Sequence, residues 1–201
     1  MIELPTRPSF DLKVCWVIAL EPEARPLIDE LDLRRYANNL NFPVYFNPEN
    51  GHALVISGIG SAKAAAAATC LKMLLNVESY VGWINLGIAG FYSQPIGKLY
   101  QAIKVYDTAG KKSYFPGVRL SKILKCQTLH TVSQPEMAYL ETVLFDMEAS
   151  GFCEMAPTFS CNELVFVLKI VSDTPDHPVR LVSKETISVS YTHLRAHETT
   201  S

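Results

Sequence analysis

Val165-Phe166-Val167-Leu168-Lys169-Ile170-Val171-Ser172-Asp173 is an apolar run that ends in a carboxylate, and its reading decides the fold. Such a run reads as a buried strand that delivers a charge to the edge of a sheet. Leu144-Phe145-Asp146-Met147-Glu148-Ala149-Ser150-Gly151 repeats the pattern earlier in the chain. Ligand crevices of open α/β sheets lie outside the carboxyl ends of the strands. A buried carboxylate is costly unless it has a partner or a task. Two such motifs point to a site for a positively charged or proton-demanding reaction.

Working outward, Lys13–Leu20 reads as a first strand, apolar on both faces, as in the centre of a covered sheet. Glu21–Leu31 follows as a helix, with Glu21 and Glu23 suited to the positive end of the dipole and Pro22 tolerated in the first turn. Asn41–Phe46 and His52–Ser57 are two further strands around a turn. Gly58-Ile59-Gly60 then leads into the alanine-rich helix Ala64–Leu75, and alanine is the strongest helix former. Tyr80–Leu86 and Leu99–Asp107 are strands, residues 108–126 read as loop, and Gln127–Val132 reads as a short strand. A helix over Glu148–Phe159 follows the Leu144–Met147 strand, and Leu164–Ser172 closes the series. Strands alternating with helices predict an α/β layered domain with a largely parallel sheet.

The bulk numbers narrow the function. A chain of 201 residues with 48% apolar and 19% charged residues suits one globular domain with a full core. A net charge of −2 leaves no basic stripe for phosphates, so nucleic acid is not an expected partner. No apolar stretch reaches the ~18 residues of a membrane span, and the start lacks the form of a signal peptide. Five scattered cysteines without CxxC spacing read as reduced thiols in a cytoplasmic protein. The five histidines show no metal-ligand spacing, so no metal or cofactor is implied.

Five blocks in order resemble the nucleoside phosphorylase/nucleosidase superfamily, and within it the methylthioadenosine/S-adenosylhomocysteine nucleosidases. They are Ala19-Leu20-Glu21-Pro22-Glu23 after the first strand, Val55-Ile56-Ser57-Gly58-Ile59-Gly60, Asn85-Leu86-Gly87-Ile88-Ala89-Gly90, Asp146-Met147-Glu148-Ala149 and Val171-Ser172-Asp173. The resemblance spans roughly residues 13–176. It implies a three-layer α/β/α sandwich around a twisted, mostly parallel mixed sheet, a homodimer and a small nucleoside as substrate. Phosphorylases of the group hold phosphate with arginines early in the chain and by the central glycine segment. Here Glu21-Pro22-Glu23 and Gly87-Ile88-Ala89-Gly90 carry none, and Arg25 reads as a helix-surface residue. Hydrolysis of the N-glycosidic bond is therefore the expected reaction. Phosphorolysis, and an idle nucleoside-binding module, are the alternatives.

By the same resemblance, Asp173 is the general acid toward the base and Glu23 orients and deprotonates water. Glu148, with the Met147 backbone, binds the ribose hydroxyls. Ala89 and Gly90 line the base and ribose pocket, and Ser172 holds Asp173 or touches the base. Each carboxylate also has a plain structural reading. Glu23 and Glu148 could merely complement helix dipoles, and Asp173 could cap a turn before Pro175. The domain is expected to run over residues 1–187, ending short of a further helix that family members carry. Residues 188–201 read as a tail foreign to the domain.

Overall fold

The computed structural model of the chain describes residues 11–36, 41–92, 95–136 and 142–175. The 187 domain boundary and the 188–201 tail lie outside these residues. Ten strands form one sheet: β1 (Val14–Ile18), β2 (Arg34–Arg35), β3 (Val44–Asn47), β4 (His52–Ile56), β5 (Gly82–Phe91), β6 (Leu99–Asp107), β7 (Lys112–Tyr114), β8 (Lys125–Thr131), β9 (Leu144–Asp146) and β10 (Val165–Asp173). Among the described residues three α-helices accompany them: α1 (Glu21–Glu30), α2 (Ser61–Leu75) and α3 (Ala149–Met155).

The pairing is more evenly mixed than the sequence predicted. Five pairs are parallel: β1–β4, β1–β5, β5–β10, β6–β8 and β8–β9. Five are antiparallel: β2–β3, β3–β4, β5–β9, β6–β7 and β6–β10. Because β5 pairs with both β9 and β10, the strands β5, β10, β6, β8 and β9 close into a ring. The sheet is thus a small barrel with an open wing, β1, β4, β3 and β2, continuing from β5. The expected loop over 108–126 also contains β7, a short hairpin partner of β6. The expected helix over Glu148–Phe159 is the shorter α3 followed by a 3₁₀ turn at Ala156–Thr158.

Side chains alternate across a strand, and the alternation sorts the core. Val165, Val167 and Val171 of β10 join one apolar cluster with Ala64, Ala67, Ala68 and Leu71 of α2 and Phe152 of α3. Leu168 and Ile170 join the other, with Ala24 and Ile28 of α1. The odd positions of β5, Trp83, Ala89 and Phe91, likewise belong to the α2/α3 cluster. Lys169 and Gly87 are partners in the β10–β5 register, and their parity puts both on the α2/α3 side. A charged residue and a glycine thus meet on a face that is otherwise mostly apolar, with Asn85 of β5 beside them.

The two helices on that side approach closely. α2 buries Ala64, Ala67, Ala68, Leu71 and Leu75, the spacing of one helical stripe. A Cβ on Gly151 of α3 would lie 1.9 Å from the Ser61 carbonyl oxygen, so only glycine fits the crossing. The Ser61 and Ser150 hydroxyls share a 2.8 Å hydrogen bond at the same point. This crossing fixes the first turns of α2 and α3 side by side. No helix among the described residues is long and apolar enough to cross a membrane.

Candidate functional site

Glu21 and Glu23 both lie in the first turn of α1, but they meet different environments. Glu21 is exposed and pairs with Arg25, which also lies 3.9 Å from Asp29. Glu23 is only 2% exposed, and its Oε2 has no hydrogen-bond partner among the described residues. A carboxylate that only complemented the helix dipole would sit in solvent as Glu21 does. Burial raises the Glu23 pKa from its ordinary 4.5 to about 8. Lys169 opposes the shift, and Glu148 and Asp146 add to it.

Asp146 and Lys169 form the centre of the charged cluster. Lys169 Nζ is 2.8 Å from Asp146 Oδ2, with side-chain exposures of 1% and 0%. Asp146 Oδ1 accepts a 2.8 Å hydrogen bond from the Thr131 hydroxyl. Asp146 Oδ2 also accepts from the amides of Ala149 at 2.8 Å and Glu148 at 3.3 Å. Asp146 therefore satisfies two of the amides that open α3 while neutralising a buried ammonium. Burial works against the Lys169 charge, but Asp146, Glu148 and Glu23 outweigh it and raise the Lys169 pKa.

Glu148 immediately precedes α3 and is buried. Its Oε1 accepts a 2.9 Å hydrogen bond from the Gly60 amide at the start of α2. The glycine turn Gly58-Ile59-Gly60, with φ of 79° and 113° at its two glycines, aims that amide at the carboxylate. Burial and Asp146 raise the Glu148 pKa, while Lys169 and the Gly60 and Met147 amides lower it. Glu148 is thus held by a neighbouring helix start rather than spent on its own.

Gly87 joins the cluster to Glu23. A Cβ there would lie 3.3 Å from Glu23 Oε2 and 3.3 Å from Lys169 Nζ. Both side-chain ends approach this glycine, and a methyl there would have to push them aside by a few tenths of an ångström.

Asp173 is buried at the end of β10, where a register shift after Val171 places it opposite Gly90. The Ser172 hydroxyl donates to Asp173 Oδ1 and approaches the Ala89 carbonyl at 3.4 Å. The backbone of Asp173 is therefore part of the strand pairing. Gly90 pairs with Phe145 of β9, so the ends of β5, β9 and β10 converge. Met147 is half-buried and lines a cleft of about 560 Å³ with Gly60, Ser61, Thr131, Ser133 and Ser150. Glu23 and Asp173 do not line that cleft.

The sequence reading selected Glu23, Glu148, Asp173, Ser172, Met147, Ala89 and Gly90. The structure adds Lys169, Asp146, Thr131 and Gly87. Lys169 was visible in sequence as a lone charge within an apolar strand, a position that demands a buried partner. Among the described residues, no group of three or more His, Cys, Asp or Glu side chains could hold a metal ion.

No family model matches the chain, and no curated protein matches it by sequence. Solved structures do match in shape. The 5′-methylthioadenosine nucleosidase of Arabidopsis thaliana aligns with a TM-score of 0.75 at 18% identity, covering 96% of this chain and 98% of that one. The futalosine hydrolase of Helicobacter pylori gives 0.73 at 14% identity, covering 92% and 97%. The Streptococcus pneumoniae MTA/SAH nucleosidase in complex with 8-aminoadenine gives 0.69 at 17% identity, covering 92% and 96%. The chain has the α/β fold of these nucleosidases.

Proposed function

We propose that the protein hydrolyses the N-glycosidic bond of a purine nucleoside or nucleoside thioether, releasing free base and sugar. The observation that carries this reading is the buried Glu23, whose Oε2, over Gly87, has no hydrogen-bond partner among the described residues and whose pKa is raised to about 8. A general base works best with a pKa near the working pH. The nucleosidases and futalosine hydrolase that share the fold support the same chemistry.

Cleavage builds positive charge on the sugar and negative charge on the leaving base. Glu23 takes a proton from water as its oxygen attacks the anomeric carbon. The C–N bond breaks with its electron pair going to the base, and Asp173 supplies a proton at the purine N7. Ser172 orients Asp173 through its hydrogen bond. Glu148 binds the ribose hydroxyls with the Met147 backbone and favours the cationic sugar. Ala89 and Gly90 line the base pocket, where β5 and β10 converge. The reading carries with it a three-layer α/β/α arrangement, a cytoplasmic homodimer and one domain ending near residue 187.

Phosphorolysis is the competing reading, and the pairing of Arg25 with Glu21 and Asp29 on the surface disfavours it. Turnover in ¹⁸O-labelled water tests the choice. Hydrolysis places the label on the anomeric carbon of the released sugar. Unlabelled sugar phosphate as the product overturns it.

A further inference from the structure

We infer that Lys169 is a positioning residue that sets the ionised fraction of Glu23, through one ammonium shared among three buried carboxylates. The consequence for rate rests on the hydrolase reading. The assignment itself does not.

Lys169 faces Asp146 from β9, Glu148 at the start of α3 and Glu23 from α1. On α1 itself, Glu21 and Arg25 are exposed and pair with each other. Gly87 and Asn85 of β5 bring no charge to this side. Among the described residues, one cation therefore serves three anions in a buried region, where a full set of charges is strongly disfavoured. The carboxylate with the poorest alternatives takes up a proton. Asp146 has the direct ion pair, the Thr131 hydroxyl and two amides. Glu148 has the Gly60 amide. Among the described residues, Glu23 Oε2 has no hydrogen bond, and the Lys169 ammonium lies across Gly87 from it.

Lysine suits this task. Its ammonium has three donors on a flexible stem, and only one needs to be committed to Asp146. Drawing the ammonium toward Asp146 leaves Glu23 protonated, and freeing it favours the Glu23 carboxylate. The Asp146–Lys169 pair thus acts on Glu23 without touching substrate.

The test is a carboxyl ¹³C NMR titration of glutamate-labelled protein, with the Glu23 signal assigned by its loss in Glu23→Gln. In Lys169→Met the Glu23 midpoint moves up by about one pH unit or more, an approximately tenfold smaller ionised fraction near neutrality. Lys169→Arg keeps it near the wild-type value. Asp146→Asn moves it down, because the ammonium is released and a like charge is lost. If Lys169→Met does not fold, the opposite shift in Asp146→Asn carries the decision. An unmoved Glu23 midpoint in the variants that fold overturns the assignment. In the wild type, the acidic limb of kcat/KM for base release follows the Glu23 midpoint. Its position in Lys169→Met moves in parallel, a change that a merely structural lysine would not cause. Absence of base release from any nucleoside refutes the hydrolase reading, while the titration still decides the role of Lys169.

Discussion

Lys169 of β10 and Asp146 of β9 are an ion pair sealed from solvent, with Nζ 2.8 Å from Oδ2 and exposures of 1% and 0%. The pair bridges two strands of the closed ring and anchors the start of α3 through the Ala149 amide. Removing one partner leaves the other charge buried and unpaired, which typically costs about 3–5 kcal/mol. Asp146→Ala is therefore expected to lose stability on that scale in urea unfolding. A loss under about 1 kcal/mol would contradict the sealed pair, since that is the range of exposed ion pairs.

Asp173→Asn is expected to fold normally, bind nucleoside and lose ~10²-fold or more in turnover, the scale of a missing general acid. The amide retains an oxygen to accept from Ser172, so the local bond survives. Single-turnover base release and equilibrium binding check the two halves separately. Unchanged turnover would remove Asp173 from the mechanism.

Glu23 links catalysis to stability. Its folded pKa lies near 8, above the ordinary 4.5, so folding takes up a proton between these values. A raised folded-state pKa contributes stability that is complete below the unfolded value and is lost as pH rises through the folded one. The wild type should therefore lose stability between about pH 4.5 and pH 8. Glu23→Gln should flatten that slope while abolishing most turnover. Equal slopes in the two proteins, measured by urea unfolding across the window, would place the proton elsewhere.

Gly151→Ala tests the crossing that sets α2 against α3. The added methyl meets the Ser61 carbonyl oxygen at 1.9 Å, a backbone atom that cannot rotate away. Overpacking of this kind costs about 1–3 kcal/mol or more. The Gly60 amide would also move away from Glu148, so nucleoside affinity should fall along with stability. Thermal unfolding and binding titrations measure both.

Arg25→Ala is expected to leave base release unchanged and to cost at most about 0.5 kcal/mol, as for exposed i,i+4 pairs. A strong loss of phosphate-dependent turnover would instead identify Arg25 as a phosphate ligand.

Much of this arrangement was legible in the chain. The run Val165–Asp173 is a strand buried at every position, the expected Leu144–Met147 strand is found as Leu144–Asp146, and the alanine-rich helix expected over Ala64–Leu75 starts one turn earlier at Ser61. Glu23, Glu148 and Asp173 are all buried. The closure of the sheet was not legible. It depends on β5 accepting both β9 and β10, and strand pairing leaves no local mark in sequence. The β7 hairpin was missed because Lys112-Ser113-Tyr114 is short and largely exposed, with little apolar alternation to read. Gly87 entered the sequence reading only as part of the Asn85–Gly90 segment. Its role emerges only when Glu23 and Lys169 are seen to meet over it.

The most direct test of the central claim is release of free base from methylthioadenosine, S-adenosylhomocysteine, adenosine, inosine and uridine, with and without phosphate. The account predicts base release from at least one purine nucleoside or thioether in phosphate-free buffer, with no stimulation on adding phosphate. Release that requires phosphate, or binding of these nucleosides with no release under either condition, would contradict it.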